Sequence, residues 1–167
     1  LGDRGGTKLI EDSTDSWLPE EAKCADVLHD RAAAWTELQP SATKSTEDTK
    51  HAMNHFIGHG DKVGTFYSDN SPELKAAAAK MGWRHKTATP GNPQSNGLAE
   101  RTVRKCEEGI RCAIVQSGLP TSYWTYAGPH YCTAKSIMTP SGGTSPYFKR
   151  HGVEAIAKMP QFGELIE

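Results

Sequence analysis

The sequence lacks the features that would settle its class by themselves. Its 4 cysteines form no CxxC pair, so neither a zinc ribbon nor a disulfide frame is indicated. Cys24, Cys106, Cys112 and Cys132 read as buried thiols of a reducing compartment. No apolar run is long enough to span a bilayer, and no signal-peptide pattern opens the chain, so no membrane role is expected. An excess of one charge is missing too: Lys and Arg number 19 against 20 Asp and Glu, so global charge does not mark a nucleic-acid binder. There is no internal repeat and no low-complexity tract. What remains is 167 residues, enough for one buried core and one domain. The chain begins at Leu1 rather than Met, as an excised domain would.

What is present is local. Acids crowd the stretch 11–30, at Glu11, Asp12, Asp15, Glu20, Glu21, Asp26 and Asp30. Bases crowd 101–111, at Arg101, Arg104, Lys105 and Arg111, as a surface holding a phosphate backbone would require.

Periodicity and punctuation give an α/β order. A first strand is predicted at Thr7–Glu11. Cys24–His29 and Ala34–Gln39 form a hairpin around Arg31-Ala32-Ala33, with Pro40 ending it. Ser45 caps a helix whose apolar face is Ala52, Met53, Phe56 and Ile57, and Gly58 and Gly60 stop it. Val63–Tyr67 is a fourth strand, with Asp69 just past its C-terminal end, where open α/β sheets present ligands. Ser71 caps the next helix, with Pro72 in its first turn and Leu74, Ala77, Ala78 and Met81 as its stripe. Gly82 ends it, and Trp83–Thr87 is a fifth strand. A long helix is expected over Gly97–Ser117, and another from Thr121 to about Ser136. His51 and His55 stand i, i+4 but lack a third ligand, so a metal role is disfavoured.

The chemistry-bearing stretch runs from Phe66 to Arg101. Asp69 and Glu100 are 31 positions apart (100 − 69). An α/β fold that brought them together would offer the oxygen donors that Mg²⁺ takes in phosphoryl transfer. Alone, each has a plain reading: Asp69 as a turn residue and Glu100 as a solvated helix residue.

Two motifs sharpen this. Ser68-Asp69-Asn70 and the run Pro90-Gly91-Asn92-Pro93-Gln94-Ser95-Asn96-Gly97-Leu98-Ala99-Glu100-Arg101 resemble the catalytic core of retroviral and retrotransposon integrases. That family is the D,D-E branch of the ribonuclease H-like superfamily. The likeness extends more loosely from about Cys24 to Phe162. The tail, TSPYFKRHG then MPQFGELIE, is most similar to copia-type retrotransposons.

The resemblance implies a ribonuclease H-like α/β fold, a five-stranded mixed sheet flanked by helices. Residues 1–138 would form the core, with 1–23 least like the family, and 139–167 a tail leading into a further domain, its FG pair opening that domain's first strand. It implies a metal-dependent polynucleotidyl transferase inserting element DNA into host DNA. Asp69 and Glu100 would be catalytic and hold Mg²⁺ or Mn²⁺. Asn70, Gln94, Asn96, Arg101, Arg104 and Lys105 would contact DNA. Partners would be DNA and further copies of the chain, within the cell, in the nucleus or a cytoplasmic retrotransposon particle. One departure stands out. The family's first Asp falls by rough register at Lys8, which cannot ligate a cation; Asp12, on the same strand face by period two, and Asp3 are substitutes. The alternative is a decayed copy that only binds nucleic acid or oligomerises.

Overall fold

The computed structural model describes residues 22–58, 62–87, 97–138, 143–156 and 159–164, together with the backbone pairing of 4–5 and 9–11. Its elements are β1 (Arg4–Gly5), β2 (Leu9–Glu11), β3 (Cys24–Asp30), β4 (Trp35–Ser41), α1 (Thr46–Ile57), β5 (Phe66–Ser68), α2 (Pro72–Lys80), β6 (His85–Thr87), α3 (Gly97–Ser117), α4 (Trp124–Ile137) and α5 (Pro146–His151).

One mixed sheet holds all six strand segments. β4 pairs β3 antiparallel along its whole length, from Cys24↔Ser41 to Asp30↔Trp35. A strand has two edges, so β2 (Leu9↔Asp26, Glu11↔Cys24) and β1 (Arg4↔Asp30) share the opposite edge of β3. β1 then runs parallel to β5, and β5 parallel to β6. The described strand segments number six against the expected five: the predicted first strand, Thr7–Glu11, is described over Leu9–Glu11, and a further two-residue segment, Arg4–Gly5, precedes it.

Other boundaries move for physical reasons. β4 continues through Pro40, because a strand bonded on one side tolerates a missing N–H that points away from its partner. The hairpin turn extends one residue, to Ala34, which takes a left-handed φ of 57°. β5 and β6 are three residues each; Val63–Thr65 and Trp83–Arg84 lie before the ladder. The helix stops behave as predicted at Gly58 and Gly82, both at positive φ.

β3 distributes its side chains by period two. Ala25 and Val27 pack with Val103, Cys106, Ile110 and Ala127 of α3 and α4. Leu28 packs on the other side with Met53, Phe56, Leu74 and Ala77 of α1 and α2. Cys24, Cys106 and Cys132 are buried as expected, but Cys112 is exposed. His55 bonds Glu37 and Gln39 rather than forming a ligand set with His51. The segment beyond residue 138, expected as a post-core tail, has contacts with the core. Arg150 donates to the Phe56 carbonyl and lies 5.0 Å over the Trp35 ring. Phe162, expected to open a strand, sits in a turn and packs edge-on to His130.

Candidate active site

β5 is short but bonded on both edges, which buries Phe66 and Ser68 and fixes the residue that follows. The Phe66 ring meets Trp83 edge-on at 5.5 Å. The Ser68 hydroxyl donates to the Asp69 carbonyl at 2.9 Å, so it accepts from His85 Nε2 at 2.8 Å. That assignment puts a proton on His85 Nε2, and burial, then Lys75, pushes the ring's titration down, which favours its neutral form. The backbone at Asp69 is thus anchored from both neighbouring strands.

The Asp69 carboxylate is held as tightly. Its Oδ1 accepts from the Ser71 backbone N–H at 3.0 Å and from the Ser71 hydroxyl at 2.6 Å. Ser71 occupies the expected cap position of α2 but makes no side-chain cap bond; its hydroxyl is turned to the Asp69 carboxylate instead. Asp69 is half-buried, and its Oδ2 makes no hydrogen bond among the described residues. Asn70 follows it, exposed.

Glu100 stands exposed in the first turn of α3, over a buried face of Ala99, Thr102 and Val103. At 3.6 residues per turn, Arg104 lies about 40° from Glu100 around the helix, whereas Arg101 and Lys105 lie about 100° and 140° away. The three bases expected to form one phosphate track are therefore divided. Arg104 shares the Glu100 side; Arg101 and Lys105 face the groove toward α4, where both line a cavity. Asp69 and Glu100 share no hydrogen bond, and no three His, Cys, Asp or Glu among the described residues are grouped to hold a metal. Asp12, Gln94 and Asn96, like Lys8 and Asp3, lie outside the described residues.

No protein-family model matches the sequence. Relatives in sequence do. The chain is 38% identical over 107 residues to the retrovirus-related Pol polyprotein from transposon RE1 of Arabidopsis thaliana, covering 60% of this chain and 7% of that protein. It is 36% identical over 78 residues to the corresponding polyprotein from transposon TNT 1-94 of Nicotiana tabacum, covering 44% of this chain and 6% of that one. The match thus spans well under a tenth of these relatives' length. Among solved structures, it resembles the catalytic core domain of BIV integrase with a TM-score of 0.61 and 18% identity, covering 87% of this chain and 92% of that one. The HTLV-2 integrase catalytic core in complex with magnesium, in a trimeric form, gives 0.60 and 17% over 90% of this chain and 98% of that one. A simian T-cell lymphotropic virus intasome gives 0.68 and 16% over 96% of this chain and 58% of that one.

The chain is related to retrotransposon Pol polyproteins and has the integrase-core fold. Within that fold, the strand lane next to Asp69 is set by the parallel pairs Arg4↔Phe66 and Gly5↔Tyr67.

Sequence reasoning passed over one acid. Asp26 belongs to the apolar run of β3, yet its side chain is 1% exposed and its Oδ1 has no hydrogen-bond partner. Thr49 Oγ1, also buried, has none either. Burial, then the nearby Glu73 carboxylate, pushes the Asp26 carboxyl up to about 7; the adjacent Thr49 hydroxyl, which misses hydrogen-bond geometry, opposes this only in part, and Asp48 and Asp69 add to the rise. The α2 side of the sheet is thus a place of accumulated negative charge. The signal was visible as an acid inside an otherwise apolar strand.

Proposed function

We propose that the chain is the catalytic-core part of a retrotransposon integrase, a polynucleotidyl transferase that joins element DNA to host DNA. The observation that carries this is the fixation of Asp69. One oxygen is bound by Ser71 and the other is unengaged, at the C-terminal end of β5, in a chain whose structural neighbours are integrase cores. Glu100 would complete a pair of carboxylates. Both are oxygen donors, one half-buried and one exposed, which suits Mg²⁺ or Mn²⁺ retaining water and binding one or two carboxylates. A neighbouring core holding magnesium supports the choice of ion.

When bound, the ions would activate the attacking oxygen and stabilise the leaving one. The protein's own part is positional. Ser71 orients Asp69, Ser68 and His85 hold its backbone, and Arg104 beside Glu100 and Asn70 beside Asp69 offer contacts to DNA. Gln94 and Asn96 would contact the DNA end by family likeness. DNA and further copies of the chain are proposed as partners, in line with the intasome and trimeric neighbours. The setting would be intracellular, in the nucleus or a retrotransposon particle.

A second reading is a decayed copy that binds nucleic acid or oligomerises without catalysis. Lys8, at the family's first Asp by sequence register, favours it. Asp12 is the substitute whose removal tests the first reading.

Titrating Mn²⁺ calorimetrically into the parent and into Asp69→Asn, Glu100→Gln and Asp12→Asn separates the two. Binding by the parent that both Asp69→Asn and Glu100→Gln abolish supports the assembled site. Strand-transfer assays on the parent and on Lys8→Asp then decide activity. A parent that binds no Mn²⁺, with no strand transfer from either protein, leaves only the second reading.

A further inference from the structure

Between α3, α4 and the β3–β4 hairpin lies a cavity of about 490 Å³, within the range of small-molecule sites. Its lining combines two chemistries. Leu98, Tyr131 and Met138 supply apolar surface, while Arg101 and Lys105 from α3 and Lys135 from α4 supply cations. All three cations are exposed, and none forms an ion pair among the described residues. Arg101 uses only its Nε, donating to the Gly97 carbonyl at 3.0 Å, so its terminal nitrogens remain for a planar anion. Like charges gathered on one rim without carboxylates repel, and a bound anion relieves that repulsion.

The apolar part includes an aromatic ring. The Tyr131 ring lies directly against Gly109 of α3; a Cβ at residue 109 would run into it. The ring is therefore packed against the backbone of α3 and half-buried, and it lines the cavity, where an aromatic ring can stack on a base. His29, at the hairpin, is tied through Nδ1 to the Thr36 hydroxyl at 2.9 Å. Burial holds its titration down, so near neutral pH it adds no fourth charge.

We infer that this cavity binds one nucleotide unit, its phosphate on Arg101, Lys105 and Lys135 and its base against Tyr131. The occupant is an unpaired nucleotide of a DNA strand or a free mononucleotide; the chemistry is the same. The inference rests on the nucleic-acid part of the proposed function but not on its catalytic part. The cavity flanks α3 on the side turned away from Glu100, so occupancy needs no metal.

The test is fluorescence anisotropy at fixed ionic strength without divalent metal. Probes are a labelled single-stranded 12-mer and a labelled blunt duplex, with thymidine monophosphate and inorganic phosphate as competitors. Proteins are the parent, Lys105→Gln/Lys135→Gln, Tyr131→Leu, and Lys80→Gln as a change of an exposed cation outside the cavity, each checked for native circular dichroism. Expected is a loss of roughly tenfold or more in single-strand affinity for the double variant. Tyr131→Leu should lose about fivefold or more, the scale of one stacked base. Blunt-duplex affinity should change less than twofold in both. Competition by the mononucleotide, and not by phosphate, identifies the base as part of the ligand. If the folded variants bind the single strand like the parent, the inference is wrong. Equal loss on both DNAs, or phosphate competing as well as the mononucleotide, also overturns it, because general electrostatics would then suffice. Failure of Mn²⁺ binding or strand transfer would sink the catalytic reading and leave this result untouched.

Discussion

The two helical layers that enclose the sheet are built to different tolerances. The α3–α4 layer is apolar where it meets β3, with Ala25, Val27, Leu38, Val103, Cys106 and Ile110 all buried together. Its approach is close enough to need glycine: a Cβ on Gly128 would sit 2.7 Å from Leu38 Cδ2. The α1–α2 layer uses alanines instead, at Ala52, Ala77 and Ala78, and encloses Asp26 and Thr49 with unpartnered oxygens. The difference teaches where the fold is secured and where it is electrostatically unrelaxed. Packing is concentrated away from Asp69, and charge is left unresolved on Asp69's own side.

The largest way to break this contrast is to remove the buried acid. Asp26→Val puts a β-branched apolar side chain into an apolar strand position. In the folded chain the Asp26 carboxyl is raised to about 7, against an ordinary value of 3.8. The folded state therefore holds an extra proton between these values. The associated cost is absent below the lower value, grows as pH rises, and is fully present above the higher one. The linkage sets its size at roughly 4 kcal/mol at pH 8. Urea unfolding of the parent should show stability falling from pH 4.5 to 8, and Asp26→Val should gain most at pH 8 with that slope removed. A gain independent of pH would mean that packing alone, not ionisation, distinguishes the layers.

The complementary change tightens the already tight layer. Gly128→Ala forces Leu38, 1% exposed, to move within a filled core. Overpacking of this kind costs about 1–3 kcal/mol. Chemical denaturation should show that loss, and Leu38→Val in the same background should recover part of it. If Gly128→Ala is neutral, the α3–α4 layer has slack, and the difference between the layers lies only in charge.

Much of this arrangement was legible before the fold. The helices announced themselves through Ser45, Pro72, Gly58, Gly82 and the apolar spacing of α1, α2 and α3. The placement of Asp69 at a strand end before a helix was legible in its surroundings, whereas its functional reading came from the resemblance of the two motifs. The division of Arg101 and Lys105 from Arg104 was not legible, because adjacency in sequence is not adjacency in space; a helix sends residues one apart to different sides. Asp26 was missed because alternation assigns an acid to a wet face, and β3 has none: both of its faces are covered by helices. The extra segment at Arg4–Gly5 and the passage of β4 through Pro40 depend on which edges are paired, and pairing is non-local.

The smallest change addresses the hairpin that joins the two layers without belonging to either. Ala34 closes the β3–β4 turn at φ 57°, where a Cβ crowds the following carbonyl. Asp30 Oδ1 accepts from the Ala32 N–H at 2.9 Å, so the turn's shape is set upstream and does not depend on the Ala34 side chain. Ala34 is exposed, and Gly there loses almost no buried surface. Relief of the left-handed strain opposes the greater freedom of Gly in the unfolded chain, leaving a gain of about 0.5–1 kcal/mol for Ala34→Gly. Ala33→Gly is the control: Ala33 is buried and its φ is not positive, so only the entropy and packing losses apply and stability should fall. Opposite signs at neighbouring positions, read by thermal unfolding at one pH, would locate the strain in the backbone of residue 34. Equal signs would place it elsewhere in the turn. Because the hairpin feeds Ala25 and Val27 to one layer and Asp26 and Leu28 to the other, the gain from Ala34→Gly should add to that from Asp26→Val without coupling.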